Sequence, residues 1–180
     1  MIIPANRRGR SSGSKPDQES VRGTLFRFTR RRKAPPVSPV VIREAVRADA
    51  EALAALIVPL GYEIFPHAVA GRLAAMARVG NRTFVAEKDR RVIGCITTSA
   101  MQVIHRPAPV GRISMMVVEE EQRGRGIGRS LVAAAEDHLR DTGCHIVEVT
   151  SRFDLTEAHL FYEKLGFEKT SVRLARNLQD

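Results

Sequence analysis

Apolar residues repeat along most of this chain with two alternating periods, and each change of period marks an element. Leu53, Leu56, Ile57 and Leu60 fall on one helical face behind Asp49, which reads as a cap, and Pro59 and Gly61 end the run. Pro66 opens a second helix carrying Val69, Leu73 and Met76, with Gly80 closing it. The most amphipathic segment places Ile127, Leu131, Ala135 and Leu139 every four residues and stops at Gly143. A shorter helix over 156–165 ends at Gly166. Between these helices the period drops to two. Val40 to Ile42 is a short β run, and 83–87 and 92–102 flank the charged turn Lys88-Asp89-Arg90-Arg91 as a hairpin. A loop with Pro107 and Pro109 leads to a strand over 110–118; Ile146 to Thr150 reads as a buried strand and Phe167 to Leu174 as a closing one. Helices in twos and strands in hairpins predict an α+β domain with a mixed sheet, not a doubly wound one.

Residues 1–38 break the pattern. Gly9, Gly13, Gly23, Pro35 and Pro36 interrupt them, no period persists, and only 21–28 alternates weakly, so a flexible N-terminal segment is expected ahead of a domain over 39–180. Charge sharpens that boundary. Of 180 residues, 29 are Lys or Arg and 20 Asp or Glu, a net charge of +9. Residues 1–39 hold Arg7, Arg8, Arg10, Lys15, Arg22, Arg27, Arg30, Arg31, Arg32 and Lys33 against Asp17 and Glu19, which is +8, and leaves the rest of the chain at +1. Polyanion binding, nucleic acid above all, is therefore expected of the tail alone, and only Phe26 and Phe28 offer stacking there. No apolar run reaches the ~18 residues of a membrane span, and no secretory signal core follows the first methionine. Cys95 and Cys144 lie in separate apolar segments and read as small buried residues of a reducing cytosol, while no Cys/His set has the spacing of a metal site.

The densest chemical signal follows the 110–118 strand: Glu119-Glu120-Glu121-Gln122-Arg123-Gly124-Arg125-Gly126-Ile127-Gly128-Arg129. Strand, glycine turn and helix start make an anion site from inward amides and the positive end of a helix. Arg129 stands where a Walker loop needs its second glycine, and Leu131 where a dinucleotide fingerprint needs its third, so neither nucleotide pattern fits. Arg123-Gly124-Arg125-Gly126-Ile127-Gly128 does resemble the acetyl-CoA loop, [QR]-x-x-G-x-[GA], of the GNAT superfamily of N-acetyltransferases. Phe161-Tyr162-Glu163-Lys164-Leu165-Gly166-Phe167 resembles that family's second signature, at the expected distance of one helix and one strand.

The resemblance implies a GNAT fold, with a mostly antiparallel twisted sheet flanked by helices, and acetyl-CoA as co-substrate. Amides from Arg123 to Gly128, with Arg125, Arg129 and Ser130 beside them, would hold the pyrophosphate, and Met116, Val117 and Val118 would pair with the pantetheine arm as an added strand. The Met116 amide would take the thioester oxyanion and Tyr162 would protonate the departing thiolate. Some relatives carry a glutamate four residues ahead of the oxyanion amide; here that residue is Arg112, which leaves the base open among Glu63, His67, Asp154, Glu157, His159 or a water chain. Leu60-Gly61-Tyr62-Glu63 and Thr156-Glu157-Ala158-His159 resemble a bacterial subgroup described as aminoglycoside acetyltransferase-like. That likeness implies an acceptor cleft touched by Tyr62, Glu63 and His67, a primary amine of a small molecule or peptide as acceptor, a cytoplasmic enzyme working by direct transfer, and a homodimer. The competing reading is a catalytically weak domain of this type whose basic tail binds nucleic acid or regulates.

Overall fold

The structure, a computed structural model, describes residues 38–178. The chain runs β1 (Val41–Glu44), α1 (Ala50–Ile57), α2 (Pro66–Arg78), β2 (Thr83–Lys88), β3 (Arg91–Met101), β4 (Val110–Val118), α3 (Ile127–Asp141), β5 (Ile146–Val149) and α4 (Thr156–Glu163). The five strands form one sheet in chain order, antiparallel except for the parallel pair β4 and β5. A parallel neighbour needs a crossover, and α3 supplies it.

The two sheet faces are covered separately. On one, Leu53, Ala54 and Leu56 of α1 and Val69 of α2 pack on Val85, Cys95 and Val117. On the other, Ile127, Leu131, Val132 and Ala135 of α3 and Tyr162 of α4 pack on Ile93, Ile96 and Ile113. Fully buried side chains of this size each contribute about 1.5–3 kcal/mol, so the four-residue apolar repeat of α3 is its main anchor. The hairpin between β2 and β3 turns on Asp89 and Arg90, both left-handed (φ 51° and 62°), the backbone hand that matches strand twist in a two-residue loop.

Three local expectations change. Asp49 does not cap α1 with its side chain: its carboxylate accepts the Val46 N–H at 2.8 Å, closing the 3-10 turn Arg47–Asp49 ahead of the helix, and takes both ends of the Arg43 guanidinium at 2.7 and 2.8 Å. Arg43 also reaches Glu87, so this group ties β1, the start of α1 and β2, and the Arg43 bonds hold the Asp49 carboxyl below its usual range. Phe167 to Leu174 forms no strand: among the described residues nothing pairs with it, and Val172 and Leu174 are exposed. β5 is correspondingly half-buried, with Ile146 exposed, rather than a buried strand. The weak alternation at 21–28, and the basic segment almost entirely, lie outside the described residues.

Candidate functional site

β4 changes character midway. Val110 to Ile113 pairs with β3 on one side and β5 on the other, the last pair to β5 being Ile113 with Val149. At Ser114 an extra residue interrupts the register with β3, and its hydroxyl lies 2.7 Å from that of Thr97. Bulges of this kind bend a strand and end pairing, and from there to Val118 β4 keeps β3 but has no β5 partner.

The orientation of the free edge follows from the ladder. The Glu119 N–H donates to the Ile93 carbonyl on β3 at 2.9 Å. Backbone groups alternate sides along an antiparallel strand, so Val117 also faces β3, while the N–H and C=O groups of Met116 and Val118 face the open edge. Arg123 fits that reading, since its Nε donates to the Val118 carbonyl at 3.2 Å.

The glycine loop closes this edge at its far end. Gly124 and Gly126 are left-handed (φ 72° and 81°), a conformation that side chains rarely adopt, and Gly126 leads directly into α3. The first amides of that 15-residue helix therefore point out beside the free edge without partners of their own. Arg123, Arg125 and Arg129 are exposed around them, and the Ser130 hydroxyl turns back to the Gly126 carbonyl at 3.4 Å. Gly128 is a contact point: a Cβ there would lie 3.1 Å from the Phe161 ring and 3.9 Å from the Met116 methyl. The strand edge, the helix start and the second signature thus meet in one corner.

Tyr162 sits in that corner, 8% exposed, edge-on to Phe161 at 5.1 Å and to Phe167 at 5.3 Å. Burial pushes its phenol up to about 12, so it carries its proton throughout the neutral range. The acidic run before the loop is partly neutralised, because Glu119 takes Arg91 of the hairpin with both oxygens at 2.5 Å.

On the α1/α2 side an open cavity of about 600 Å³ is lined by Val58, Gly61, Tyr62, Glu63, Ile64 and Phe65. Tyr62 and Glu63 are thus brought to it, whereas His67 stacks on Phe65, ring centroids 5.8 Å apart. Of the open candidates for the base, Asp154 is engaged by Arg152 at 2.5 and 3.0 Å, and that pairing holds its carboxyl low. Arg112 is bonded to Glu148, its neighbour across the β4–β5 register. Sequence reasoning passed over Glu148; its signal was a single carboxylate inside the apolar run Ile146-Val147-Glu148-Val149.

The mixed sheet thus parts between two parallel strands, with a glycine-turned helix start at the mouth of the gap. Comparisons with known proteins identify the family. The model of the acetyltransferase (GNAT) family matches residues 50–167, and the chain belongs to that family. It is similar to the aminoalkylphosphonate N-acetyltransferase of Salmonella typhimurium, 29% identical over 82% of this chain and 97% of that protein. It is also similar to glucosamine 6-phosphate N-acetyltransferase 1 of Oryza sativa subsp. japonica, 32% identical over 76% of this chain and 70% of that one. An aminoglycoside N-acetyltransferase solved with CoA shares the fold, with a TM-score of 0.73 and 20% identity over 82% of this chain and all of that one. The protein is an acetyl-CoA-dependent N-acetyltransferase acting on an amine, and the fold expectation holds. The competing reading as a catalytically weak regulatory domain is not favoured. No helix among the described residues is long and apolar enough to cross a membrane.

Proposed function

We propose that this enzyme moves the acetyl group directly from acetyl-CoA to the primary amine of a small molecule within a ternary complex. The single observation that carries the reading is the free edge of β4, which meets the start of α3 and Tyr162 in one corner. Along that edge Met116, Val117 and Val118 receive the pantetheine arm, and the Arg123 to Gly128 amides hold the pyrophosphate with Arg125, Arg129 and Ser130 near it. The Met116 N–H donates to the thioester oxygen as it becomes an oxyanion. Tyr162, held protonated by burial, gives its proton to the thiolate that leaves. The acceptor enters the cavity beside Tyr62 and Glu63, with His67 supporting Phe65 from behind. Direct transfer is favoured over an acyl-cysteine because both thiols are buried and burial pushes that of Cys95 up to about 12. The same two unpaired thiols support a reducing, cytoplasmic location. Polyanion binding, if the protein has it, belongs to the basic tail, and a protein lacking residues 1–38 should lose it while keeping acetyl transfer.

The reading is tested by titrating the protein with acetyl-CoA in a calorimeter and by following thiol release with 2-aminoethylphosphonate, glucosamine 6-phosphate and kanamycin as acceptors. Binding no tighter than millimolar, or release with none of the three, refutes it. Tyr162→Phe should lower kcat by about 10²-fold with the acetyl-CoA affinity unchanged; equal loss of both would make Tyr162 a packing residue.

A further inference from the structure

The α1–α2 connection displays an unusual set of side chains for an enzyme with these relatives. A 3-10 turn over Val58–Leu60 stops at Gly61 (φ 87°), and Pro66 starts α2, so the span from Tyr62 to Phe65 is held at both ends. Ile64 is its inward residue. It packs in the same apolar layer as Met115 and Val117, the β4 residues on either side of Met116. Tyr62 and Phe65 are left 63% and 68% exposed in the lining of the cavity, whose volume of about 600 Å³ is that of a small-molecule site. Val58, also in the lining, is exposed as well. Large apolar side chains gathered open in a concave patch mark a surface that an apolar ligand covers.

Charge decides which ligand. Among the described residues that line the cavity, Glu63 is the only charged one, and none is Lys, Arg or His. His67 stacks on Phe65 with the rings 10° from parallel and lies outside the lining. The ring faces of Tyr62 and Phe65 carry partial negative charge, which adds to the carboxylate in attracting a cation. An acceptor with a phosphate or phosphonate would bring its oxyanion to this carboxylate with no lining cation to meet it, and would leave the open rings uncovered. Two of the relatives are named for acceptors that carry such a group, aminoalkylphosphonate and glucosamine 6-phosphate.

We propose that the preferred acceptor of this enzyme is an arylalkylamine, a primary ammonium group on an uncharged aromatic body, and that Glu63 and Phe65 set that preference. The inference deepens the N-acetyltransferase reading above and rests on it. The aromatic body covers Tyr62, Phe65 and Val58, while Glu63 draws in the ammonium group and repels anionic amines. The transfer itself is that of the reading: the C–N bond forms at the thioester carbon and the C–S bond breaks. Of the two protons the ammonium group loses, one ends on the thiol and one in solvent.

The experiment uses two acceptors that share an aminoethyl arm and differ only in what it carries, 2-phenylethylamine and 2-aminoethylphosphonate. Kanamycin serves as a cationic acceptor without an apolar body. Thiol release from acetyl-CoA by the full-length protein gives kcat/KM for each. The phenyl compound should exceed the phosphonate by about 100-fold, with kanamycin between them. Phe65→Ala should raise KM for 2-phenylethylamine about tenfold, and for kanamycin by much less, because only the former loses a ring to cover. Glu63→Arg should raise kcat/KM for 2-aminoethylphosphonate about tenfold and lower that for kanamycin as much, since it exchanges the repelled charge. Both variants should keep the acetyl-CoA affinity of the unaltered protein, which reports that they are folded. Equal use of the phenyl and phosphonate acceptors, or preference for the phosphonate, overturns the proposal and leaves the function reading standing. A Glu63→Arg protein with an unmoved acceptor ratio does the same. Failure of the unaltered protein to bind acetyl-CoA, or to release thiol with any of the acceptors, is the separate failure of the function reading, and takes the proposal with it.

Discussion

One strand does two jobs at its two ends. From Val110 to Ile113, β4 is bonded on both edges and its side chains are largely buried; from Ser114 to Val118 it has β3 on one edge and, among the described residues, no strand on the other. The sheet gains stability where both edges are satisfied, and where one is left free its backbone groups stay open to an extended ligand. The break between them lies at Ser114, where the bulge and the end of β5 coincide.

That division is open to attack from either end. The largest expected effect falls on the sealed half. Ile113 is 1% exposed between the β3 and β5 ladders. Ile113→Ala removes its packing under α3 and should cost about 2–5 kcal/mol of unfolding free energy, read by urea titration at unchanged slope. Activity should fall only with the folded fraction if the halves are independent.

The next effect reverses the readout. Met116 presents its N–H to the open edge, so Met116→Pro removes no hydrogen bond of the β3 ladder, and proline is tolerated in strands where its nitrogen faces an unpaired edge. Urea stability should change by less than about 1 kcal/mol, whereas kcat should drop about 10²–10³-fold, the usual cost of one oxyanion donor. A large stability loss with little effect on the folded fraction's rate would mean the Met116 amide belongs to the ladder after all, and the two halves would cease to differ.

Much of this arrangement was legible in the chain because its signals are local. The left-handed turns at Gly124 and Gly126, the four-residue repeat of α3 and the bounds of β4 are written within a few residues of where they act. The corner joining Gly128 and Phe161 was legible only through the resemblance, which paired two signatures that composition alone would not connect. What escaped depends on register and on partners far along the chain. Arg112 and Glu148 are 36 residues apart and meet because β4 and β5 align in one register, not the next. Asp49 looked like a helix cap because nothing in its neighbourhood announces that Arg43 and Glu87 converge on the same spot. Phe167 to Leu174 has the alternation of a strand, but alternation states a preference, and a strand needs an edge to pair with.

The smallest expected effect probes the seam where the open edge meets the rest of the site. At Gly128 a methyl group would come 3.1 Å from the tip of the Phe161 ring, a contact that the ring can relieve by a few tenths of an ångström, because Phe161 is only half-buried. Gly128 lies inside α3, where alanine is favoured over glycine by about 1 kcal/mol, and that gain offsets most of the crowding. Gly128→Ala should therefore leave stability within about 1 kcal/mol. The displacement it forces is on Phe161, which is edge-on to Tyr162, so the change should appear as a fewfold fall in kcat with the acetyl-CoA affinity nearly unchanged. A weakened affinity at constant kcat would instead show that Gly128 is needed for the close approach of the donor's phosphates. The seam would then belong to the binding loop, not to the catalytic corner.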